Sequence, residues 1–477
     1  MKLFKLLKGI KCRVLGSQLL EIEGLYHNDK LVKKNGLYFC LNGLNYCGND
    51  FVYSAINNGA VCVVTEKEVN GLKGVTQILV GNVRKVMSLI AKNFYNNPAK
   101  NLKLIGVTGT NGKTTTTYMI SDMLNQMGYL SALIGTNGVI FKDKVIQTSM
   151  TTPDPIELEK IFSKLVEWGV RYVCMEVSAH SIYLDKIEGL KFECVIFSNL
   201  TEDHLDYFET MDNYFNAKKK LFSNKYAKNC LINIDDIYGK NILKSINTPT
   251  KTYSIYNKSD YKADDVSFEN FKQRFVFNGF YVKSKFLGEF NVYNLLSALA
   301  CLDVIGVELL DIQKLVDGIN QVPGRFNTIV INKKLFIIDY AHTPDGLENV
   351  LNLCRKLVKG GKLFCVFGCG GNRETQKRAK MGEISTKIAD FTIITTDNPR
   401  FEDRLKIAKE IENGVINKNY VIILDRKEAI KFANKNSNEG DVILIAGKGC
   451  ENYIDEKGEK IKYSDYEEVE KLRNKND

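Results

Sequence analysis

An apolar run, LKLIGV (residues 102–107), passes directly into TGTNGKTTT (108–116). Few backbones accommodate that order. The apolar run reads as a buried strand, and Lys113 to Met127 carry a helical period. The glycines between them allow a tight turn whose amides converge with the helix N-terminus. A strand, a glycine turn and a helix commit this stretch to an α/β unit. Such a turn favours phosphate. Gly109, Thr110, Asn111, Gly112, Lys113, Thr114 and Thr115 are its candidate residues. Lys113 is expected to reach the outer phosphates, and the Thr114 hydroxyl to touch Mg²⁺. The generic pattern G-x-x-x-x-G-K-[ST] needs glycine where Val107 stands. The spacing here is G-x-x-G-x-x-G-K-T, a variant that keeps every physical element.

The rest of the chain is organised around this unit. At about 150 residues per domain, 477 residues predict three. Turn formers at NFYNNPAKN (93–101) and QVPGRFN (321–327) divide it into residues 1–98, 99–325 and 326–477. The first piece mixes short strands, LYFCLNG and AVCVVT, with helices. In the second, Tyr118, Met119, Met123, Leu124 and Met127 mark the buried stripe of the helix after the turn, and Gly128 its end. The third alternates KLFCVFG, FTIITT, YVIILD and DVILIAG with helical segments, the pattern of a parallel sheet. The fold class is therefore α/β, with a central phosphate-loop domain and a C-terminal Rossmann-like parallel-sheet domain.

Ligands in such sheets bind beyond the strand carboxyl ends, so the residues there are the candidates. YVCMEVSAH ends a strand at Glu176, a hard carboxylate suited to Mg²⁺. FSNLTEDHLDYF sets Asp203, His204 and Asp206 after another strand. His204, one of only 4 histidines, is placed to bind Mg²⁺ or orient phosphates. Read alone, Glu176 is equally a satisfied strand-end polar group and His204 a structural residue. NKSD (257–260) matches a guanine-reading pattern, but it lies in a polar loop and no D-x-x-G stands at switch spacing. It reads as a surface turn.

TGTNGKTTT, TTPDP, MEVSAH, NLTEDHLDYF, YFNAKKKLF, GEFNVYN, PGRF, DYAHTPDG, GCGGNR, TTDNPR and AGKGCE occur in this order over nearly the whole chain. Together they resemble the Mur ligase family. The resemblance implies ATP-dependent amide synthesis through an acyl phosphate, with Mg²⁺ as cofactor. It implies Thr114 and Glu176 on one metal and His204 on a second. Lys218 in YFNAKKKLF matches a lysine that the family carries as a carbamate, N6-carboxylysine. Beside Mg²⁺ an ammonium is repelled, whereas a carbamate offers anionic oxygens. Without the resemblance Lys218 reads as a solvated helix lysine. Asn291 and Asn294 are implied on the adenine side, Arg325 at the phosphates and Asp339 at the ribose. Lys113, Glu176, His204 and Lys218 are the implied catalytic group.

The implied substrates are a UDP-N-acetylmuramoyl dipeptide and a diamino diacid, meso-diaminopimelate. TTDNPR carries Arg400, which can grip the extra carboxylate bidentately. Arg373, Asp397, Asn398, Gly447 and Glu451 complete the expected amino-acid site. Thr151, Thr152, Ser178 and Lys186 are expected at the sugar-peptide substrate. The family's D-S-R near the amino terminus reads Asn28, Asp29, Lys30 here, so Asp29 and Lys30 stand as uridine-end candidates. GKGHE reads GKGCE, with Cys450. Lanthionine or L-lysine as the amine, or an activity like folylpolyglutamate synthase, are the alternatives.

Composition narrows the remaining classes. The formal charge of +10 is spread among interspersed acids, which argues against nucleic acid as a partner. The 12 cysteines include no C-x-x-C pair, so neither a zinc site nor a disulfide framework is expected. No leader-like segment or membrane-length apolar run is seen, and a cytoplasmic monomer is expected.

Overall fold

The computed structural model describes residues 1–43, 46–148, 150–269 and 272–473. Among these, the strands form sheets of five, eleven and six strands and a separate two-stranded ribbon. The architecture is three-domain α/β. No helix among the described residues is long and apolar enough to cross a membrane.

The amino-terminal sheet pairs Gly24–Tyr26, Gly36–Phe39, Ala60–Thr65 and Thr76–Leu79 in parallel, with Arg13–Leu15 antiparallel at one edge. Helix Val83–Phe94 covers it. Asn82 caps this helix by accepting from Lys85 N at 2.9 Å, and Val83, Val86, Met87, Ile90 and Ala91 face the sheet. The helix stops where Asn96 and Asn97 take φ of 60° and 52°. Asparagine tolerates that left-handed region better than most residues.

The central sheet holds Ser131–Gly135, Tyr172–Glu176, Lys103–Thr108, Phe192–Phe197 and Ala227–Asn233 side by side and parallel. Both faces are covered, which is why these strands read as unbroken apolar runs. Leu104 and Val173 turn toward helices Pro155–Glu167 and Met211–Lys219. Ile105 and Cys174 turn toward helices Lys113–Gln126 and Glu289–Val304. Met119, Ile120, Met123 and Leu124 of the first of these helices are fully buried. Each contributes at most about 1.5–3 kcal/mol of apolar burial. That holds the helix, and the loop before it, against the sheet. Gly128, at φ +82°, ends it.

The carboxyl-terminal sheet orders Asn327–Ile331, Lys334–Asp339, Val442–Ala446, Leu363–Phe367, Phe391–Ile394 and Tyr420–Ile422. It is parallel except for its first strand, which forms an antiparallel hairpin with the second. The two turn residues, Asn332 and Lys333, have φ of 49° and 57°, the backbone that a two-residue hairpin needs. That antiparallel edge was not part of the sequence expectation. The central and carboxyl-terminal sheets thus turn strand ends toward one cavity.

Candidate active site

Strand Lys103–Thr108 delivers the glycine loop to the carboxyl edge of the central sheet. The loop is clamped from the next strand's exit: Thr110 N donates to Asn199 O and Asn111 N to Asn199 Oδ1, both at 2.9 Å. Gly112 has φ +86°, and a methyl group there would lie 2.5 Å from Asn294 Oδ1. Both conditions require glycine. Lys113 arches back over its own loop, donating to Gly109 O at 2.9 Å and Thr110 O at 2.8 Å. A half-buried ammonium needs acceptors, and these carbonyls are at hand. Burial pushes its pKa down, against Glu176 and Asp203.

Thr114 joins two other expected residues. Its hydroxyl donates to Glu176 Oε1 at 3.0 Å and accepts from Arg325 Nη2 at 2.9 Å. Glu176 also accepts from Thr136 N at 2.9 Å and Thr136 Oγ1 at 3.2 Å. Among the described residues no three His, Cys, Asp or Glu side chains gather as metal ligands. The candidate for Mg²⁺ is the oxygen pair of Thr114 and Glu176. Two oxygens on adjacent corners of a Mg²⁺ octahedron, each about 2.0–2.1 Å from the ion, lie about 2.9 Å apart. The observed separation fits. Mg²⁺ takes few protein ligands beside substrate phosphates, so a pair suffices.

Asp203, His204 and Lys218 line the adjoining wall. His204 sits at φ +58°, with Nε2 3.4 Å from Asp203 Oδ2 and His180 4.8 Å away ring to ring. Burial lowers its pKa; Asp203 opposes that, while His180, Lys218 and Lys113 add to it. Burial thus favours the neutral ring, the form that binds metal. Lys218 is 1% exposed, unlike the exposed Lys220. Its Nζ donates to Gly109 O at 2.9 Å and lies 4.7 Å over the Tyr214 ring, one helical turn earlier. Burial, then Lys113, drives its pKa well below the ordinary lysine value, against Asp203.

Asn291 and Asn294, 6% and 5% exposed, border the same cavity. Asn291 donates to Leu287 O at 2.8 Å and accepts from Asn294 Nδ2 at 3.1 Å. Arg325 stacks 4.6 Å over Tyr340. Asp339 spends both oxygens on backbone, accepting from Phe326 N at 2.8 Å and Ala341 N at 2.7 Å. It fixes the second interdomain junction as well as facing the cavity.

The carboxyl-terminal strand ends supply the opposite wall. Asp397 accepts from Asn398 N at 2.6 Å. Gly447 has φ +113°, and a methyl group there would lie 2.5 Å from Asp397 Oδ2. Asn398 donates to Glu451 Oε2 at 2.8 Å and accepts from Lys448 Nζ at 3.0 Å. Lys448 Nζ is also 3.1 Å from Glu451 Oε2, so Oε1 is the freer oxygen. Arg400, at φ +50°, donates to Gly371 O at 2.7 Å, with Nε 3.7 Å from Asp455. Arg373 is exposed to the cavity and has no hydrogen bond or ion pair among the described residues.

One cavity of about 720 Å³ brings these groups together, Thr151 and Ser178 included. Gly109, Thr152, Lys186, Asp29 and Lys30 do not line it. Gly109 offers its carbonyl to Lys113 and Lys218. Thr152 braces the strand end, donating to Glu176 O at 2.9 Å and accepting from Ser178 N at 3.1 Å. Lys186 is paired with Asp154 at 2.8 Å. Asp29 is turned toward Ser54, whose hydroxyl donates to it at 2.6 Å. A separate hollow of about 420 Å³ lies beside Tyr26, His27, Asn28, Tyr95 and Lys160, with Asp29 and Lys30 off its lining. Thr136, Asn199 and Lys448 were missed by the sequence reading. Thr136 and Lys448 follow strands almost directly, so the strand-end rule that found Glu176 applies to them too.

The comparisons with known proteins agree with this arrangement. The Mur ligase middle domain matches residues 107–302, and the Mur ligase glutamate ligase domain matches residues 324–449. The chain is 44% identical to UDP-N-acetylmuramoyl-L-alanyl-D-glutamate--2,6-diaminopimelate ligase 1 of Clostridium acetobutylicum, over 95% of each chain. It is 42% identical to the Clostridium tetani ligase of that name, over 99% of each. A solved structure of a UDP-N-acetylmuramoyl-L-alanyl-D-glutamate--2,6-diaminopimelate ligase superposes with a TM-score of 0.67 at 32% identity, covering 95% of both chains. The chain belongs to the Mur ligase family.

Proposed function

We propose that this ATP-dependent ligase joins meso-diaminopimelate to UDP-N-acetylmuramoyl-L-alanyl-D-glutamate in peptidoglycan synthesis. One observation carries the reading: a single cavity is lined by a phosphate loop on one wall and by Arg373, Asn398, Arg400 and Glu451 on the other. In this reading residues 99–325 hold ATP, residues 326–477 the amine and residues 1–98 the uridine end. The names of the relatives, at 44% and 42% identity, support the same substrates.

The residues divide the work. Lys113 and the loop amides neutralise the β- and γ-phosphates, and Arg325 swings from Thr114 to join them. Thr114 and Glu176 would hold one Mg²⁺. His204, and Lys218 as its carbamate, would hold a second. Mg²⁺, when bound, spreads the charge that develops on the transferred phosphoryl group. The dipeptide carboxylate takes that group from ATP as ADP leaves, and the amine, once its ammonium has lost a proton, displaces phosphate from the acyl phosphate to form the amide. Catalysis is mostly positioning and charge neutralisation. The amino-acid wall discriminates by charge: Arg400 meets the distal carboxylate and Glu451 Oε1 the distal ammonium. A cytoplasmic setting belongs to the same reading. A monomer completes the proposal.

ADP release measured with the nucleotide dipeptide and a panel of meso-diaminopimelate, lanthionine, lysine and ornithine tests this reading. Turnover should require both substrates and favour meso-diaminopimelate. ADP release indifferent to the amine would sink it. Arg400→Ala should raise the KM for meso-diaminopimelate about 10- to 150-fold, the loss of a charge-assisted pair of about 1.5–3 kcal/mol. The same change should leave turnover of lysine, which lacks the second carboxylate, within twofold of its original rate.

A further inference from the structure

Glu374 lies between Arg373 and helix Gln376–Ile388, on the cavity wall. It is 7% exposed, and both carboxylate oxygens are buried without a hydrogen-bond partner. Nothing in the chemistry described above uses it. Lys377, a cation near it, is directed to Asp203 at 3.9 Å. A carboxylate left in this condition is costly, because its desolvation is not offset. Burial raises its pKa; Lys377 opposes the rise, and Asp203, Glu202 and Asp206 add to it.

A carboxylate only accepts hydrogen bonds, so its missing partner is a donor, best a cation. The nucleotide phosphates and the dipeptide carboxylate are anions and are excluded on charge. The amine carries the needed ammonium. Its location is also constrained. Asn398, Arg400 and Glu451 gather at one end of the amino-acid wall. Glu374 belongs to the part that feels Asp203, Glu202 and Asp206 of the central domain, in the cavity that His204 and Lys218 also line. That is where the acyl phosphate would form. We infer that Glu374 receives the ammonium group of the incoming amino acid at its reacting end and so positions the nitrogen that forms the amide. The assignment rests on the ligase reading above.

Glu374→Gln and Glu374→Asp in the full chain test it. Acyl phosphate is trapped with hydroxylamine in the absence of amine, and ADP release is then followed against amine and Mg²⁺ concentration. Glu374→Gln should raise the KM for the amine tenfold or more, keep the hydroxamate yield within twofold and leave the melting temperature unchanged or higher. Glu374→Asp should recover part of the amine affinity. An amine KM within twofold of the unaltered protein would overturn the assignment. So would an equal loss of hydroxamate, which marks a structural role, or a raised Mg²⁺ requirement, which marks a metal ligand. No hydroxamate from the unaltered protein would remove the ligase reading itself, and this assignment with it.

Discussion

Lys218→Met should lower kcat by about a thousandfold while leaving the protein folded, the effect expected when a preorganised charged group is lost from a phosphoryl-transfer site. The lysine's surroundings explain the size. Its nitrogen has one carbonyl acceptor, Gly109 O, and one aromatic face, Tyr214, and is otherwise out of water. Lys113 is a nearby cation and disfavours a second positive charge. The amine is thus biased to its neutral form, which is nucleophilic toward carbon dioxide. Carbamylation would turn a poorly placed cation into an oxygen ligand. With ¹³C-bicarbonate the unaltered protein should show a carbamate resonance that Lys218→Met lacks, and exhaustive removal of carbon dioxide should lower its activity. Full activity in Lys218→Met would refute the role.

Arg426→Met should destabilise the carboxyl-terminal domain by about 3–5 kcal/mol, because it strands a buried carboxylate. Arg426 and Asp465 are both fully buried and meet through two hydrogen bonds of 2.8 Å. Tyr463 donates to the same carboxylate at 2.9 Å. The melting temperature of this domain should fall by roughly 6–20 °C. Arg426→Met with Asp465→Leu should restore most of that, since an apolar pair replaces a desolvated ionic one. Amine affinity should not return with it. Arg426 also donates to Ala446 O at 2.9 Å and Thr396 O at 3.4 Å, the residues just before Gly447 and Asp397. The pair therefore sets the two strand ends that shape the amino-acid wall. Calorimetry and amine KM, measured on the single and double variants, separate the two effects.

How far each residue could be read from sequence follows its range of interaction. The phosphate loop was legible because strand period, glycine positions and helix period are all local, and Gly112 is needed for its own φ as well as for its neighbour. Glu176 and Arg400 were legible because strand ends carry ligands in this class of sheet. The antiparallel hairpin at Asn332 and Lys333 was missed because a two-residue turn leaves a faint signal. The surroundings of Asp29 were not legible, because the hydroxyl that donates to it, Ser54, stands 25 residues away along the chain.

By itself the sequence determined the three α/β units, the phosphate loop and the set of strand ends from which any site must be drawn, since periodicity and turn chemistry act over a few residues. Only the tertiary structure decided what those ends do. It placed Arg325 on Thr114, 211 residues away along the chain, and Lys448 between Asn398 and Glu451. It also made Lys218, alone in its run of three, a buried amine, and left Glu374 buried without a partner. Burial and pairing depend on what the rest of the chain brings within a few ångströms, and no local pattern encodes that distance.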